Sequence, residues 1–185
     1  MDISIAILCG GRSRRFGRDK TLYNYHGRPL YMHIYEILSP LTDDIFMQCG
    51  KKDTATYRTK SYNDDYLDIG PLGGIYSAIK NSRHSRTLIV GCDMPNINDK
   101  LVMHMAKFDA DIVVPIWKNG YYEPLCAIYS KKVFPSLEYR ILTGDLKISS
   151  LFDEFKIKKI KIESLIEQGI ISPDLFKNIN RIDDI

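Results

Sequence analysis

Residues 7–20 read ILCGGRSRRFGRDK: an apolar run breaks at Gly10-Gly11, and Arg12, Arg14, Arg15, Arg18 and Lys20 follow within nine residues. Asp19 is the first carboxylate among them. Such a run of like charges calls for a compensating anion, which the sequence leaves open as solvent salt, nucleic acid or a bound phosphate. Glycines lack a Cβ, so backbone N–H groups there can approach an anion closely, while guanidinium forks and an ammonium neutralise its oxygens. That combination suits a triphosphate; a solvated basic loop would carry the same charge run. The spacing is neither G-x-x-x-x-G-K-[ST] nor G-x-G-x-x-G, because Gly11 and Gly17 enclose five residues before Lys20.

Two other stretches could complement the loop. Cys92-Asp93-Met94-Pro95 ends an apolar run, and a lone carboxylate there could hold Mg²⁺ jointly with substrate phosphates. Asp93 in a tight turn could equally accept backbone hydrogen bonds. Gly70-Pro71-Leu72-Gly73-Gly74 starts a helix whose free N–H groups and macrodipole favour an anion or a polar ligand edge. The same stretch would also serve close helix–sheet packing. Asp64 and Asp65 could face the same crevice or occupy a surface turn. Tyr121 and Tyr122 beside Trp117 offer a stacking surface for a flat ring.

These stretches must be positioned by the elements around them. Ile3 to Cys9 reads as a buried parallel strand, and Pro29 opens a helix with Leu30, Ile34, Ile37, Leu38 and Leu41 at helical spacing. Residues 44–48 form the next strand, and 51–60 a loop or exposed helix. A helix starts at Gly70, a third strand covers 87–90, and Asn98 caps a further helix. Residues 111–116 and 123–129 read as strands, 133–141 and 146–155 as helices, and 157–162 as a half-exposed strand. Strands alternating with helices predict a single three-layer α/β/α domain with a mostly parallel, Rossmann-like nucleotide-binding sheet. Ligands in such sheets lie beyond strand C-terminal ends at a topological switch point, which selects the loops 9–20, 64–74 and 91–95.

The totals set limits. A net charge of +3 is mild for a chain that wraps nucleic acid. Cys9, Cys49, Cys92 and Cys126 show no C-x-x-C spacing and sit mostly in apolar runs, which argues for buried free thiols rather than zinc or disulfides. No apolar run is long enough to span a bilayer, and no cleavable leader is visible, so the expected compartment is the cytoplasm.

LCGGRSRRFGRDK resembles the nucleotidyltransferase signature L-A-G-G-x-S-x-R-M-G-x-D-K. GPLGGI is similar to G-P-L-A-G-I, CDMP matches the family's metal-carboxylate motif, YEPLCAIY resembles E/Q-P-L-x-A-L-Y, and FKNINRIDDI resembles F-x-N-[IV]-N-T-P-E-D-L. Together they mark a resemblance to the molybdenum cofactor guanylyltransferase family, spanning residues 5–185 in order. The resemblance implies attack on the α-phosphorus of GTP by the terminal phosphate of molybdenum-bearing molybdopterin, with loss of pyrophosphate and formation of the guanine dinucleotide cofactor. Cytidylyl transfer to the same pterin, nucleotidyl transfer to a sugar phosphate, and non-enzymatic nucleotide or RNA binding are the alternatives. Position by position, it puts nucleotide contacts at Leu8, Cys9, Gly10, Gly11, Lys20, Gln48 (where the family has Asn), Asp64, Gly73 and Asp93. The spacing also permits Asp65 in place of Asp64. Arg15, Lys20 and Asp93 are implied as catalytic, Asp93 as the Mg²⁺ ligand, and Asn178 and Asn180 as pterin-side residues. It divides one domain, 1–185, into a nucleotide half at about 1–110 and an acceptor half at about 111–185. Other cofactor-biosynthesis or molybdoenzyme insertion proteins are implied as partners, with no nucleic acid and no membrane.

Overall fold

Every other residue of the apolar runs faces one side of a central sheet. In the computed structural model, which describes residues 1–11, 16–17 and 19–180, Ile5 and Ile7 pack into one core and Ala6 into the other. The elements follow in order: β1 (Ser4–Leu8), the short antiparallel pair β2 (Asn24–Tyr25) and β3 (Arg28–Pro29), α1 (Leu30–Leu38), β4 (Ile45–Gln48), β5 (Ser61–Tyr62), α2 (Pro71–Asn81), β6 (Arg86–Gly91) and α3 (Asp99–Ala106). Then come β7 (Ile112–Ile116), β8 (Cys126–Ser130), α4 (Phe134–Thr143), β9 (Ile157–Lys161) and α5 (Ile162–Glu167). The main sheet has seven strands in the order β5-β4-β1-β6-β8-β7-β9.

All pairings in it are parallel except those of β8, which runs antiparallel to both β6 and β7. The short return from β7 explains the reversal, because a parallel neighbour needs a crossover of a dozen or more residues. Helices α1, α3 and α5 bury Ile34, Leu101 and Leu165 on one face. Helices α2 and α4 bury Ile75, Ile79 and Leu137 on the other. The expected three layers and mostly parallel sheet are therefore present.

Pro71 occupies the first turn of α2, where its missing N–H is one of the helix's orphan donors. Asn98 caps α3 by accepting from the Leu101 N–H at 2.8 Å. The expected helix over 146–155 is a run of 3-10 turns at Ile148–Asp153. The Arg140 guanidinium takes the Ser150 carbonyl and pairs with Asp145 and Glu154, which holds this segment to i→i+3 bonds. Residues 51–60 are loop with one 3-10 turn, Thr54–Thr56, capped by Asp53. Strand β8 begins at Cys126 rather than 123, since the Cys126 N–H closes a turn on the Glu123 carbonyl.

Candidate active site

Strand β1 lies between β4 and β6, and the chain leaves it first toward one side and later returns on the other. This switch point opens a crevice beyond the C-terminal ends Leu8, Gln48 and Gly91. A cavity of about 560 Å³ sits there, within the range of small-ligand sites. Leu8, Gly10, Gly11, Lys20, Gln48, Asp64 and Asp93 all line it, together with Gly70 and Pro71 at the start of α2. Three loops far apart in sequence thus meet where the strand-end rule puts them.

Its polar centre is an ion pair: Lys20 Nζ lies 2.7 Å from Asp93 Oδ2, both side chains being half-buried. Asp19 starts the 3-10 turn that carries Lys20, its side chain accepting from the Thr21 N–H at 3.0 Å and from Lys52 at 2.7 Å. Burial pushes the Asp19 carboxyl up, but the bonds from Lys52 and Thr21 outweigh it and hold the group below the ordinary aspartate range. Asp93 is aimed by β6. A Cβ on Gly91 would stand 2.6 Å from Asp93 Oδ1, so only glycine leaves the carboxylate its place. Gly11 holds a backbone φ of +102°, a conformation that favours glycine at the loop's first bend.

Asp64 forms the opposite wall. Its Oδ1 accepts from Gln48 Nε2 at 2.9 Å and from the Gly50 N–H at 3.2 Å, and burial pushes its carboxyl up. Asp65 points elsewhere, in an exposed ion pair with Lys80, which separates the two candidates. Gln48 is buried, and its amide is bound to Asn63 O, Asp64 and Asn81.

Other expected residues lie differently. Cys9 is in the core with its Sγ 3.8 Å from the Met47 sulfur, and burial raises its thiol well above the ordinary range. Gly73 faces the loop that precedes α2: a Cβ there would stand 2.5 Å from the Tyr66 carbonyl oxygen. Neither lines the cavity. Arg15, with Arg12, Arg14 and Arg18, lies outside the described residues, as does the 181–185 end of the last motif.

The C-terminal segment is tied to the strand-end loop: the Ile179 N–H donates to the Asp93 backbone carbonyl at 2.9 Å, while the exposed Asn178 and Asn180 on either side of it do not line the cavity. Glu123 approaches from β8: Cys126 pairs with Val90, the Gly91 N–H donates to Leu125 O, and the register runs on toward Asp93. Glu123 Oε1 accepts from Trp117 Nε1 at 2.7 Å. Burial pushes the Glu123 carboxyl up; the Trp117 bond opposes that and the charge of Asp93 reinforces it. The three aromatics of 117–122 form no common platform, since Trp117 packs edge-on against Phe176, Tyr122 against Phe152, and Tyr121 is exposed.

Sequence reasoning missed Lys51 and Lys52, which line the cavity beside Gly50. They lie in the loop that follows β4, a strand end where ligand loops gather, but nothing in their residue types marks them off from a solvated turn. Lys51 also pairs with Asp68 at 3.4 Å across the exposed rim.

A half-buried lysine–carboxylate pair over a glycine bend at a switch point suits a polyphosphate, and the comparison with known proteins points to a nucleoside triphosphate. The sequence signature of the MobA-like NTP transferase domain matches residues 5–159. The chain belongs to this family. A probable molybdenum cofactor guanylyltransferase of Pyrococcus horikoshii is 34% identical, over all of this chain and 98% of its own. A molybdenum cofactor guanylyltransferase of Pseudomonas entomophila is 31% identical over 77% of this chain and 78% of its own. Among solved structures, molybdopterin-guanine dinucleotide biosynthesis protein A of Archaeoglobus fulgidus superposes with a TM-score of 0.81 at 26% identity, covering 98% of this chain and 94% of that one. The family match includes every residue that lines the cavity, from Leu8 to Leu125.

Proposed function

We propose that this chain is a molybdenum cofactor guanylyltransferase: it transfers GMP from GTP to molybdenum-bearing molybdopterin and releases pyrophosphate. The observation that carries the reading is the Lys20–Asp93 pair at 2.7 Å in the switch-point cavity, in a chain whose relatives bear that name along its whole length. An oxygen of the acceptor's terminal phosphate attacks the α-phosphorus, forming a new P–O–P link. The bond from that phosphorus to the bridging oxygen of the β-phosphate breaks, and pyrophosphate carries the electrons away. The nucleophile is already an anion, so the chain needs no strong general base.

The protein's work is alignment and charge. Lys20 faces the phosphates and neutralises charge as it gathers on the leaving group, with Lys51, Lys52 and Arg15 adding to the positive field. Leu8, Gly10 and Gly11 shape the floor, and Asp64 contacts the nucleoside. Among the described residues no cluster of three or more acidic, cysteine or histidine side chains could hold a metal. A single carboxylate does fit Mg²⁺, which keeps several waters and binds through one or two carboxylates plus substrate phosphates. Asp93 would hold it, with Oδ1 kept clear by Gly91. When bound, Mg²⁺ would offset charge on the phosphate oxygens.

In this proposal the acceptor binds beyond the nucleotide, with Glu123 beside Asp93 and with Asn178 and Asn180 as pterin-side residues. Residues 1–185 act in it as one unit, with the nucleotide half at about 1–110 and the acceptor half at about 111–185. The proposal also takes the cytoplasm as the chain's compartment, and cofactor-biosynthesis or insertion proteins as recipients of the product. Among the described residues no helix is long and apolar enough to cross a membrane.

Pyrophosphate release measured with each of the four nucleoside triphosphates, with and without molybdopterin, tests the proposal. GTP-selective release that requires the pterin is expected. Release with CTP alone would assign cytidylyl transfer, and release dependent on a sugar phosphate would assign the alternative acceptor.

A further inference from the structure

Asp93 meets the Lys20 ammonium in this cavity, whereas Asp64 is held by the neutral donors of Gln48 and Gly50; its carboxylate would repel a phosphate and so meets a donor on the nucleoside instead, a base N–H or a ribose O–H. Which of its two oxygens does so is fixed here by residues behind it. Gln48 Nε2 donates to the Asn63 carbonyl at 2.8 Å and to Asp64 Oδ1 at 2.9 Å. Its Oε1 accepts from Asn81 Nδ2, at the end of α2, at 3.2 Å. An amide could present either end, but the two acceptors, Asn63 O and Asp64 Oδ1, demand this orientation, and Asn81 then meets Oε1 with its Nδ2. The Gly50 N–H adds a second donor to Asp64 Oδ1, and the Asp64 N–H returns to Gly50 O. Oδ2 is left facing the space between Gly10 and Gly74.

We propose that Asn81 and Gln48 are positioning residues that lock Asp64 Oδ1 and so present Oδ2 as the acceptor for a nucleoside N–H or O–H donor. This rests on the nucleotide reading of the cavity. It also assigns Gln48 an indirect role, unlike the direct nucleotide contact implied by the family's Asn at that place.

Calorimetric dissociation constants for GTP, ITP (no 2-amino group) and 2′-deoxyGTP, with Mg²⁺ present, test it. The wild-type protein should favour GTP over one of the two analogues, and the weaker one identifies the donor. Asp64→Asn should weaken GTP about tenfold or more, because the locked orientation turns the new amide's NH₂ toward that donor. Asn81→Leu should weaken GTP about tenfold and erase most of the preference over the same analogue. Gln48→Glu should make GTP affinity rise as pH falls from 8 to 6, since a shared proton restores the missing donor; a purely structural role gives no such recovery. If Asp64→Asn weakens binding while Asn81→Leu and Gln48→Glu do not, the relay is wrong and the nucleotide site stands. No effect of Asp64→Asn on GTP affinity would overturn the Asp64 contact as well. A wild-type chain that binds no GTP would remove both this inference and the proposed function.

Discussion

Lys20 is the residue on which charge compensation turns. Its ammonium sits 2.7 Å from Asp93 and half-buried, where a fixed charge is worth more than in bulk water. Lys20→Ala should lower kcat on the order of 10²-fold, the scale for losing one preorganised charge donor, with little change in thermal unfolding. A variant that loses stability and keeps its rate would mark the lysine as structural. Lys20, Asp93 and the glycine bend were legible because each residue type has few uses at a strand end. Lys51 and Lys52 were not, because a lysine pair beside Asp53 looks like any solvated surface turn. The engagement of Gln48 by Asn81 was out of reach, since 33 residues separate them and only the packing of α2 against β4 joins them.

At the scale of elements, α2 must approach the loop before it closely enough for its first turn to line the cavity. Gly73 is where that happens. A Cβ would stand 2.5 Å from the Tyr66 carbonyl oxygen and 2.9 Å from Ile69 Cγ1, and backbone cannot step aside cheaply. Gly73→Ala should destabilise the fold by about 1–3 kcal/mol, read as a lower urea midpoint at unchanged slope. An unchanged midpoint would mean that the helix shifts freely. The parallel strands β1, β4 and β6 were readable from continuous apolar runs, and the capped helices from Pro71 and Asn98. The two-residue strands at 24–25, 28–29 and 61–62 are too short for any period to show. The 3-10 run at Ile148–Asp153 carries apolar residues at helical spacing, and its contacts with Arg140, from the preceding helix, are not visible in that spacing.

Across the whole molecule, the functional loops gather at one end of the sheet while a charged network ties the other. Asp44 is buried there, bound by Lys60, Ser4 and the Arg83 N–H. Burial alone would raise its carboxyl, but these bonds prevail and hold it at about 2. The folded-state value is depressed, so the stabilisation is full above the unfolded value of about 4 and is lost as pH falls from there through about 2. Thermal melts should show a slope in that window which Asp44→Asn flattens; an identical slope in both proteins would discount the network. The order of strands, and with it the pairing of β8 with β6 that brings Glu123 toward Asp93, depends on contacts across the sheet, which no local pattern encodes.

The most direct test is the rate of GMP transfer from GTP to molybdopterin, titrated with Mg²⁺, for the wild-type protein and for Asp93→Ala. Saturable Mg²⁺ dependence in the wild type, and no transfer by the folded variant at any Mg²⁺ concentration, is the predicted result. Near-normal transfer by Asp93→Ala would contradict the account.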